Sequence, residues 1–378
     1  MNIAVNTRLL IENKLEGIGW FTFETLKRIV TRHPEHTFFF IFDRPYNKKF
    51  LFSDNVVPIV IGPQARHPFL FYLWFEFSIP TILKKIKADI FISPDGYASL
   101  RSKIPNLIVI HDLNFEHYPK DLPWIITKYY KYFFPRFARK ATRIATVSDF
   151  SKNDIQQCYT IPADKIDVVY NGVSENFHPL TADEITKVKK QYSLDCDYFI
   201  YIGALLPRKN LKNLFLAYDH FRKENQKNIK LLIVGARKWW TKEMEVVFTS
   251  LEHKNDIIFT GRLNSEELNK VLGSSLALTY VSYFEGFGIP LLEAFQCNIP
   301  VITSNVTSMP EVAGNAALLA NPFDPASIAE AMQQISSDGE LRKDLILKAY
   351  RRRQDFSWDH TADLLWQSIE KLFSEIRS

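Results

Sequence analysis

The chain has 378 residues, of which 46% are apolar and 24% charged, with a net charge of +5. That length argues for two domains, each large enough to bury its own core, in an ordinary soluble composition. The mild positive balance excludes a dedicated nucleic-acid binder and suits anionic small molecules or an anionic membrane surface.

The first half reads as short apolar runs separated by helical stretches. The runs are "NIAVN" (2–6), "TFFFIF" (37–42), "VVPIVI" (56–61), "DIFIS" (89–93), "NLIVIHD" (106–112), "RIATVS" (143–148) and "IDVVYN" (166–171). Helices are predicted over 17–32, 70–87, 123–140 and 150–158. The polar stretch 171–197 carries turn signals and is the candidate linker.

The second half alternates more cleanly. Strands are predicted at "YFIYIGA" (198–204), "IKLLIVG" (229–235), "DIIFTG" (256–261), "LALTYV" (276–281), "PVITS" (300–304) and "AALLA" (316–320). Helices are predicted over 210–224, 241–253 and 265–273. Strands alternating with helices mean βαβ units and parallel sheets, and continuous apolar strands mean burial on both faces. The expected fold class is α/β, with two Rossmann-like, doubly wound parallel-sheet domains facing across a cleft. The expected domains are 1–175 and 176–357. A last helix near 358–376 is a candidate to pack back on the first domain.

In such folds ligands bind at the carboxyl ends of the strands. Four stretches fall there. In "LEGIGWFTFETL" (15–26), Gly17 and Gly19 follow the first strand and precede a helix. They read either as a tight loop touching a phosphate or as a simple turn. In "VIHDL" (109–113), His111 lies where a buried strand meets a loop. It reads either as a ligand to a substrate hydroxyl or as a histidine satisfied by backbone, with Asp112 a helix cap. In "GALLPRKN" (203–210), Arg208 and Lys209 open a helix, where cations oppose the dipole. They read either as a solvated surface pair or as partners of an anion such as a diphosphate.

The fourth stretch is "YFEGFGIPLLEAF" (283–295). Glu285 follows a strand, Gly286, Phe287 and Gly288 make a loop, and Ile289 with Pro290 opens a helix carrying Glu293 one turn in. Backbone N–H groups at such a helix start make an anion site. Glu293 is placed to accept hydrogen bonds from a vicinal diol such as a ribose. A glycine-rich strand–helix turn with an ordinary helical glutamate is the plainer alternative.

Taken together these stretches resemble the retaining glycosyltransferases of family four, which have the GT-B fold. The resemblance covers nearly the whole chain. It rests on "FEGFGIPLLEAFQCNIPVITSNVTSMPEVAGNAALLANPFD", in which seven residues lie between Glu285 and Glu293, and on "YIGALLPRKNL", "VIHDL", "TVSDFSKNDI", "VVYNGV" and "FSWDHTA" in the family's order. It implies that Arg208 and Lys209 neutralise the donor diphosphate. Gly286, Phe287, Gly288 and Ile289 would then supply backbone donors, Glu285 would contact the sugar hydroxyls and Glu293 would hold the ribose. Gly17 and Gly19 would lie over the phosphate, His111 against the sugar, and Arg262 near the nucleobase. Two positions depart from the family pattern: Ala204 follows Gly203 where many members have arginine, and Asn298 stands where many have glycine.

The expected activity is transfer of a hexose, with retention, from a nucleotide-sugar to a saccharide or lipid-linked acceptor in surface polysaccharide or lipopolysaccharide synthesis. GDP-mannose is the first donor candidate and a UDP-sugar the second. The other readings are a GT-B epimerase or phosphorylase and a non-catalytic sugar-nucleotide-binding scaffold. No cofactor is expected, and no metal, since no aspartate-rich motif is present. Cys158, Cys196 and Cys297 are scattered and show neither zinc-site nor disulfide spacing, which fits a reducing compartment.

The N-terminus has no leader-like pattern, and no run approaches the ~18 apolar residues of a spanning helix. The expected location is cytoplasmic. The aromatic stretches "HPFLFYLWFEFSIPTILKKIK" (67–87) and "YYKYFFPRFARK" (129–140) read either as surfaces touching anionic lipid at the inner face of the membrane or as core helices with solvated basic ends.

Overall fold

Two parallel sheets organise the computed structural model, which describes residues 1–225 and 227–377. The chain divides into two compact units, Met1–Gly172 with the segment from Ser357 onward, and Val173–Phe356.

The first unit holds a 7-stranded sheet. Its strands are β1 (Asn2–Asn6), β2 (Thr37–Phe42), β3 (Val56–Val60), β4 (Ile90–Ser93), β5 (Asn106–Ile110), β6 (Arg143–Thr146) and β7 (Ile166–Val168). They lie in the order β3-β2-β1-β4-β5-β6-β7 and pair in parallel throughout. β5 is buried at every position, as its unbroken apolar run requires when helices cover both faces.

The C-terminal helix Trp358–Arg377 belongs to this unit and packs on helix Gly17–Arg32. Arg28 Nε lies 3.2 Å from Asp359 Oδ2, and Arg32 NH1 lies 2.6 Å from Asp363 Oδ1. The His33 ring stacks on Trp366 with centroids 3.5 Å apart.

The second unit holds a 6-stranded sheet of β8 (Tyr198–Ile202), β9 (Lys230–Val234), β10 (Ile257–Gly261), β11 (Ala277–Tyr280), β12 (Val301–Ser304) and β13 (Leu318–Ala320). The order is β10-β9-β8-β11-β12-β13, again parallel. In each sheet the chain order reverses once, between β1 and β4 and between β8 and β11. A crevice for ligands opens outside the strand ends at such a switch point.

The structure corrects the reading of 171–197 as a linker. It contains helix Ala182–Ser193, in the second unit. Thr181 and Glu184 close a reciprocal capping box at its start, which satisfies N–H groups the polar sequence would leave open. The helix over 70–87 is also more complex. It runs as Pro68–Leu73, a π-helical turn Trp74–Ser78, then Ile79–Lys85. Glu76 in that turn is buried and accepts from the backbone N–H groups of Leu100 (2.9 Å) and Arg101 (3.1 Å). Among the described residues, no helix is long and apolar enough to cross a membrane.

Candidate active site

The loops after β8 and β11, on either side of the second unit's switch point, bring three charged side chains together. Pro207–Lys209 forms a single 3-10 turn, and Asn210 links it to helix Leu211–Glu224. Arg208 NH1 lies 2.9 Å from Glu285 Oε2, and Lys209 Nζ lies 2.5 Å from Glu285 Oε1. Tyr280, the last residue of β11, donates its hydroxyl to Glu285 Oε1 at 3.1 Å and receives a hydrogen bond from Lys209 Nζ. Arg208 NH1 also donates to the Phe284 carbonyl at 3.0 Å. The two cations were read from sequence as partners of an anion or as a solvated pair. In this structure the anion beside them is Glu285.

Burial alone would raise the Glu285 carboxyl, but the Arg208 and Lys209 charges overcome it and hold the group down to about 2. Glu285 is therefore a permanent carboxylate at neutral pH. Burial, with the Glu285 charge beside it, pushes the Tyr280 phenol well above its ordinary value, so Tyr280 keeps its proton.

Helix Ile289–Gln296 begins beside this group. Its N-cap is Gly288, at φ 102°, and no side chain caps the first turn. At this positive φ any side chain is strained, and a Cβ on Gly288 would also displace the flexible end of Met309, whose Cε lies 2.5 Å from it. Ser308 fastens the loop, donating its hydroxyl to the carbonyls of Glu285 (2.9 Å) and Phe287 (3.2 Å). Gly286 and Phe287 are buried, while Ile289 is half-buried at the helix start.

Glu293 sits one turn into that helix and is half-buried. Its carboxylate has no hydrogen-bond or ion-pair partner among the described residues, and burial pushes its pKa up to about 7. An under-satisfied carboxylate of this kind gains from any pair of hydroxyl donors brought to it. Arg262, just past β10, is exposed and makes no hydrogen bond or ion pair with the described residues.

The remaining candidates lie in the first unit. His111 follows β5, and its Nε2 donates to the Pro94 carbonyl at 2.8 Å, tying the end of β5 to the end of β4. The ring packs edge-on against Phe21, with centroids 5.0 Å apart. Burial lowers its pKa, the Pro94 hydrogen bond acting the other way, so the imidazole is neutral with Nδ1 as its acceptor. The backbone-satisfied reading of His111 describes this geometry; Asp112 accepts from Asn114 N at 3.1 Å, but the residue at the N-cap of that short helix is Leu113.

Gly17 and Gly19 do not form a loop: helix Gly17–Arg32 starts at Gly17 itself. Gly19 is buried on its inner face, where a Cβ would lie 3.2 Å from the Leu9 carbonyl oxygen. Close helix packing here outweighs glycine's poor helix propensity.

Three residues of the site had no role in the sequence reading. Tyr280 and Ser308 are described above. Asn210, at φ 63°, is buried and donates Nδ2 to the carbonyls of Val281 (2.9 Å) and Pro322 (2.6 Å). An asparagine directly after paired cations at a strand end was the available signal, since asparagine tolerates the left-handed conformation.

Comparison with known proteins follows this division of the chain. Residues 16–177 match the family described as Glycosyltransferase Family 4, and residues 183–352 match Glycosyl transferases group 1. The O-antigen chain mannosyltransferase B of Escherichia coli is 31% identical over 286 residues, covering 74% of this chain and 73% of that protein. The serotype-specific mannosyltransferase WbdA of Escherichia coli is 28% identical over 239 residues, covering 62% of this chain but only 29% of WbdA. The structure of Anabaena HepE in complex with UDP-glucose aligns with a TM-score of 0.74 at 16% identity, over 99% of this chain and 100% of that one.

Two parallel-sheet α/β units and these neighbours define the two-Rossmann-domain GT-B fold, and the family matches make the protein a glycosyltransferase. The chain belongs to glycosyltransferase family four.

Proposed function

We propose that the protein transfers a hexose, with mannose from GDP-mannose the first candidate, from a nucleotide-sugar to a saccharide or lipid-linked acceptor of a surface polysaccharide, with retention. The observation that carries this is the clasp of Arg208 and Lys209 on Glu285 beside the uncapped start of helix Ile289–Gln296. It supplies two cations and a positive helix end on one side of a switch-point crevice.

Departure of a nucleoside diphosphate leaves an oxocarbenium-like sugar and concentrates negative charge on the leaving oxygen. In this reading Arg208 and Lys209 meet that charge, and the backbone N–H groups of Gly288 and Ile289 add to it, with the Gly286–Phe287 loop lining the approach. The donor's phosphates draw the cations from Glu285, whose carboxylate is then released to accept from sugar hydroxyls. Before the donor binds, the two cations hold Glu285 as a carboxylate. Glu293 accepts from the ribose diol. The acceptor hydroxyl attacks from the face the leaving group departs, with a leaving-group phosphate oxygen as base. Arg262, just past β10, serves the nucleobase. No cofactor takes part.

Both Escherichia coli relatives are named mannosyltransferases, which supports mannose, and the name of mannosyltransferase B supports an O-antigen chain as acceptor. The UDP-glucose bound to the structural neighbour supports a nucleotide-sugar and keeps a UDP donor as the alternative.

Lipid-linked acceptors would place the protein at an anionic membrane from the cytoplasmic side. In the first unit, Phe69, Tyr72, Phe77, Trp124 and Tyr132 are exposed. Three of these carry a cation over the ring: Arg101 on Phe77, Lys128 on Trp124 and Arg136 on Tyr132. Aromatic rings paired with basic groups fit a headgroup surface. The same helices bury Trp74, Phe75 and Phe137, so each of the two aromatic stretches has one core face and one exposed face.

The test is turnover of GDP-mannose against UDP-hexoses with a lipid-linked acceptor, following nucleoside diphosphate release and the anomeric configuration of the product. An axial donor linkage giving an axial product supports retention. An inverted product, or no release with any donor, would overturn the reading.

A further inference from the structure

The expectation that the cysteines take no part in a metal site rests on their spacing. The fold brings a different set together. His117 ends the short helix Asn114–His117, while Asp154 and Cys158 lie one turn apart on helix Asp149–Tyr159. His117 Nε2 is 2.7 Å from Asp154 Oδ1. Cys158 Sγ is 3.5 Å from the same oxygen and 3.9 Å from His117 Nε2. Three different ligand atoms, one nitrogen, one oxygen and one sulfur, thus meet at one point.

We infer that His117, Asp154 and Cys158 form a three-ligand site for a zinc-class divalent ion, separate from the sugar-transfer site. A tetrahedral zinc holds neighbouring ligand atoms about 3.4–3.6 Å apart at its usual bond lengths. The trio needs shifts of a few tenths of an ångström to match, and the His117–Asp154 pair has to open. Asp154 is buried, whereas His117 and Cys158 are exposed, so the ion has a wall behind it and an open fourth position toward water. Thiolate and imidazole ligands select zinc or a neighbouring transition metal over the hard cations magnesium and calcium.

The plainer alternative chemistry is a cysteine nucleophile activated by histidine. His117 Nε2 is engaged by Asp154 Oδ1 at 2.7 Å and lies 3.9 Å from Cys158 Sγ, so the histidine is not set to take the thiol proton. Binding of the ion forms the metal–sulfur bond and releases that proton to solvent.

The site has a structural consequence for the first unit. Ser151, at the start of the same helix, donates its hydroxyl to the His111 carbonyl at 3.3 Å. An ion at the far end would tie helix 149–159 to the 111–117 segment at a second point. It would stiffen the loop that carries His111.

Cobalt(II), a spectroscopic stand-in for zinc, tests this on the full-length reduced protein. The expected result is a near-ultraviolet thiolate-to-cobalt band with tetrahedral visible bands, saturating at one ion per chain and erased by zinc. Cys158→Ser loses the near-ultraviolet band, and Cys196→Ser keeps it. Asp154→Asn weakens cobalt binding at least about tenfold, since even outer partners of a metal ligand cost that much. Zinc raises the Tm of the wild type and leaves Cys158→Ser unmoved, a readout independent of the spectrum. Absence of the thiolate band in the wild type would overturn the site. So would a band that survives in Cys158→Ser, or equal zinc stabilisation of both proteins.

Discussion

Glu285 and Glu293 stand eight positions apart in one loop–helix segment, yet their carboxyl groups sit in opposite electrostatic surroundings. Against the upward pull of burial, the Arg208 and Lys209 charges hold Glu285 down to about 2, while burial without a partner lifts Glu293 to about 7. One carboxylate is already spent on the chain's own charges. The other gains only when a ligand supplies donors. The same motif therefore holds one group whose ionisation is fixed and one whose ionisation ligand binding can change.

Glu293 gives the first prediction. Its folded pKa lies above the unfolded value, so the native state binds the proton more tightly. Stability from this group is present at low pH and declines as pH rises from about 4.5 toward 7. Glu293→Gln removes that decline. At pH 8 the variant is more stable than wild type by on the order of 1–2 kcal/mol, a half-buried carboxylate keeping some solvent, and the difference shrinks by pH 5. Denaturant melts at the two pH values check this. Nucleotide affinity behaves oppositely: it weakens in the wild type as pH falls below 7 and is weak and flat in Glu293→Gln.

Lys209→Ala leaves Glu285 buried with one cation fewer, and a cost of about 1–3 kcal/mol in stability is expected. The Glu285 pKa is lower than its unfolded value, so the group's stability is present above about 4.5 and is lost as pH falls toward 2. Lys209→Ala narrows that window from the acid side. Adding Glu285→Gln returns much of the stability and none of the turnover, which remains down by about 10²–10³. Restored turnover in the double variant would mean that the cations serve only the fold.

Two glycines separate close packing from open space. Gly288→Ala forces a side chain against Met309 at positive φ and is expected to cost about 1–3 kcal/mol and to abolish nucleotide binding. Gly17→Ala faces open space at a helix start and is expected to raise stability by up to about 1 kcal/mol. Thermal melts of the two variants with a nucleotide titration decide both.

Membrane contact is tested on the first unit's exposed rings. Flotation with vesicles containing anionic lipid is expected to carry the wild type at low salt, with loss at high salt. Trp124→Ala with Lys128→Ala is expected to reduce binding several-fold without changing the melt, because Trp124 is 68% exposed. Equal flotation of the variant would remove this surface from the account.

Much of the sheet architecture was legible because strands buried on both faces appear as unbroken apolar runs, as in "NLIVI" and "YFIYI". Helix Ala182–Ser193 was hidden by its polarity, and its signal lay in the Thr181–Glu184 capping box. The π-turn at 74–78 was not legible, since it positions Glu76 for a distant loop at 100–101. At the site, the charges announced themselves. Arg208, Lys209 and Glu285 stand at strand ends where charge is costly unless matched. Their supports did not: Asn210 acts on Pro322, 112 positions away, and Ser308 acts on Glu285 and Phe287, 23 and 21 positions away. No local pattern encodes such long-range hydrogen bonds.

The central claim is that the Arg208–Lys209–Glu285 cluster receives the donor's diphosphate. Thermal melts with GDP, UDP and ADP, for wild type and Lys209→Ala side by side, test it most directly. The account predicts that one nucleotide at saturation raises the wild-type Tm by at least about 2 °C and leaves Lys209→Ala, still folded, unmoved. An equal rise in both proteins would place the diphosphate elsewhere and contradict the claim.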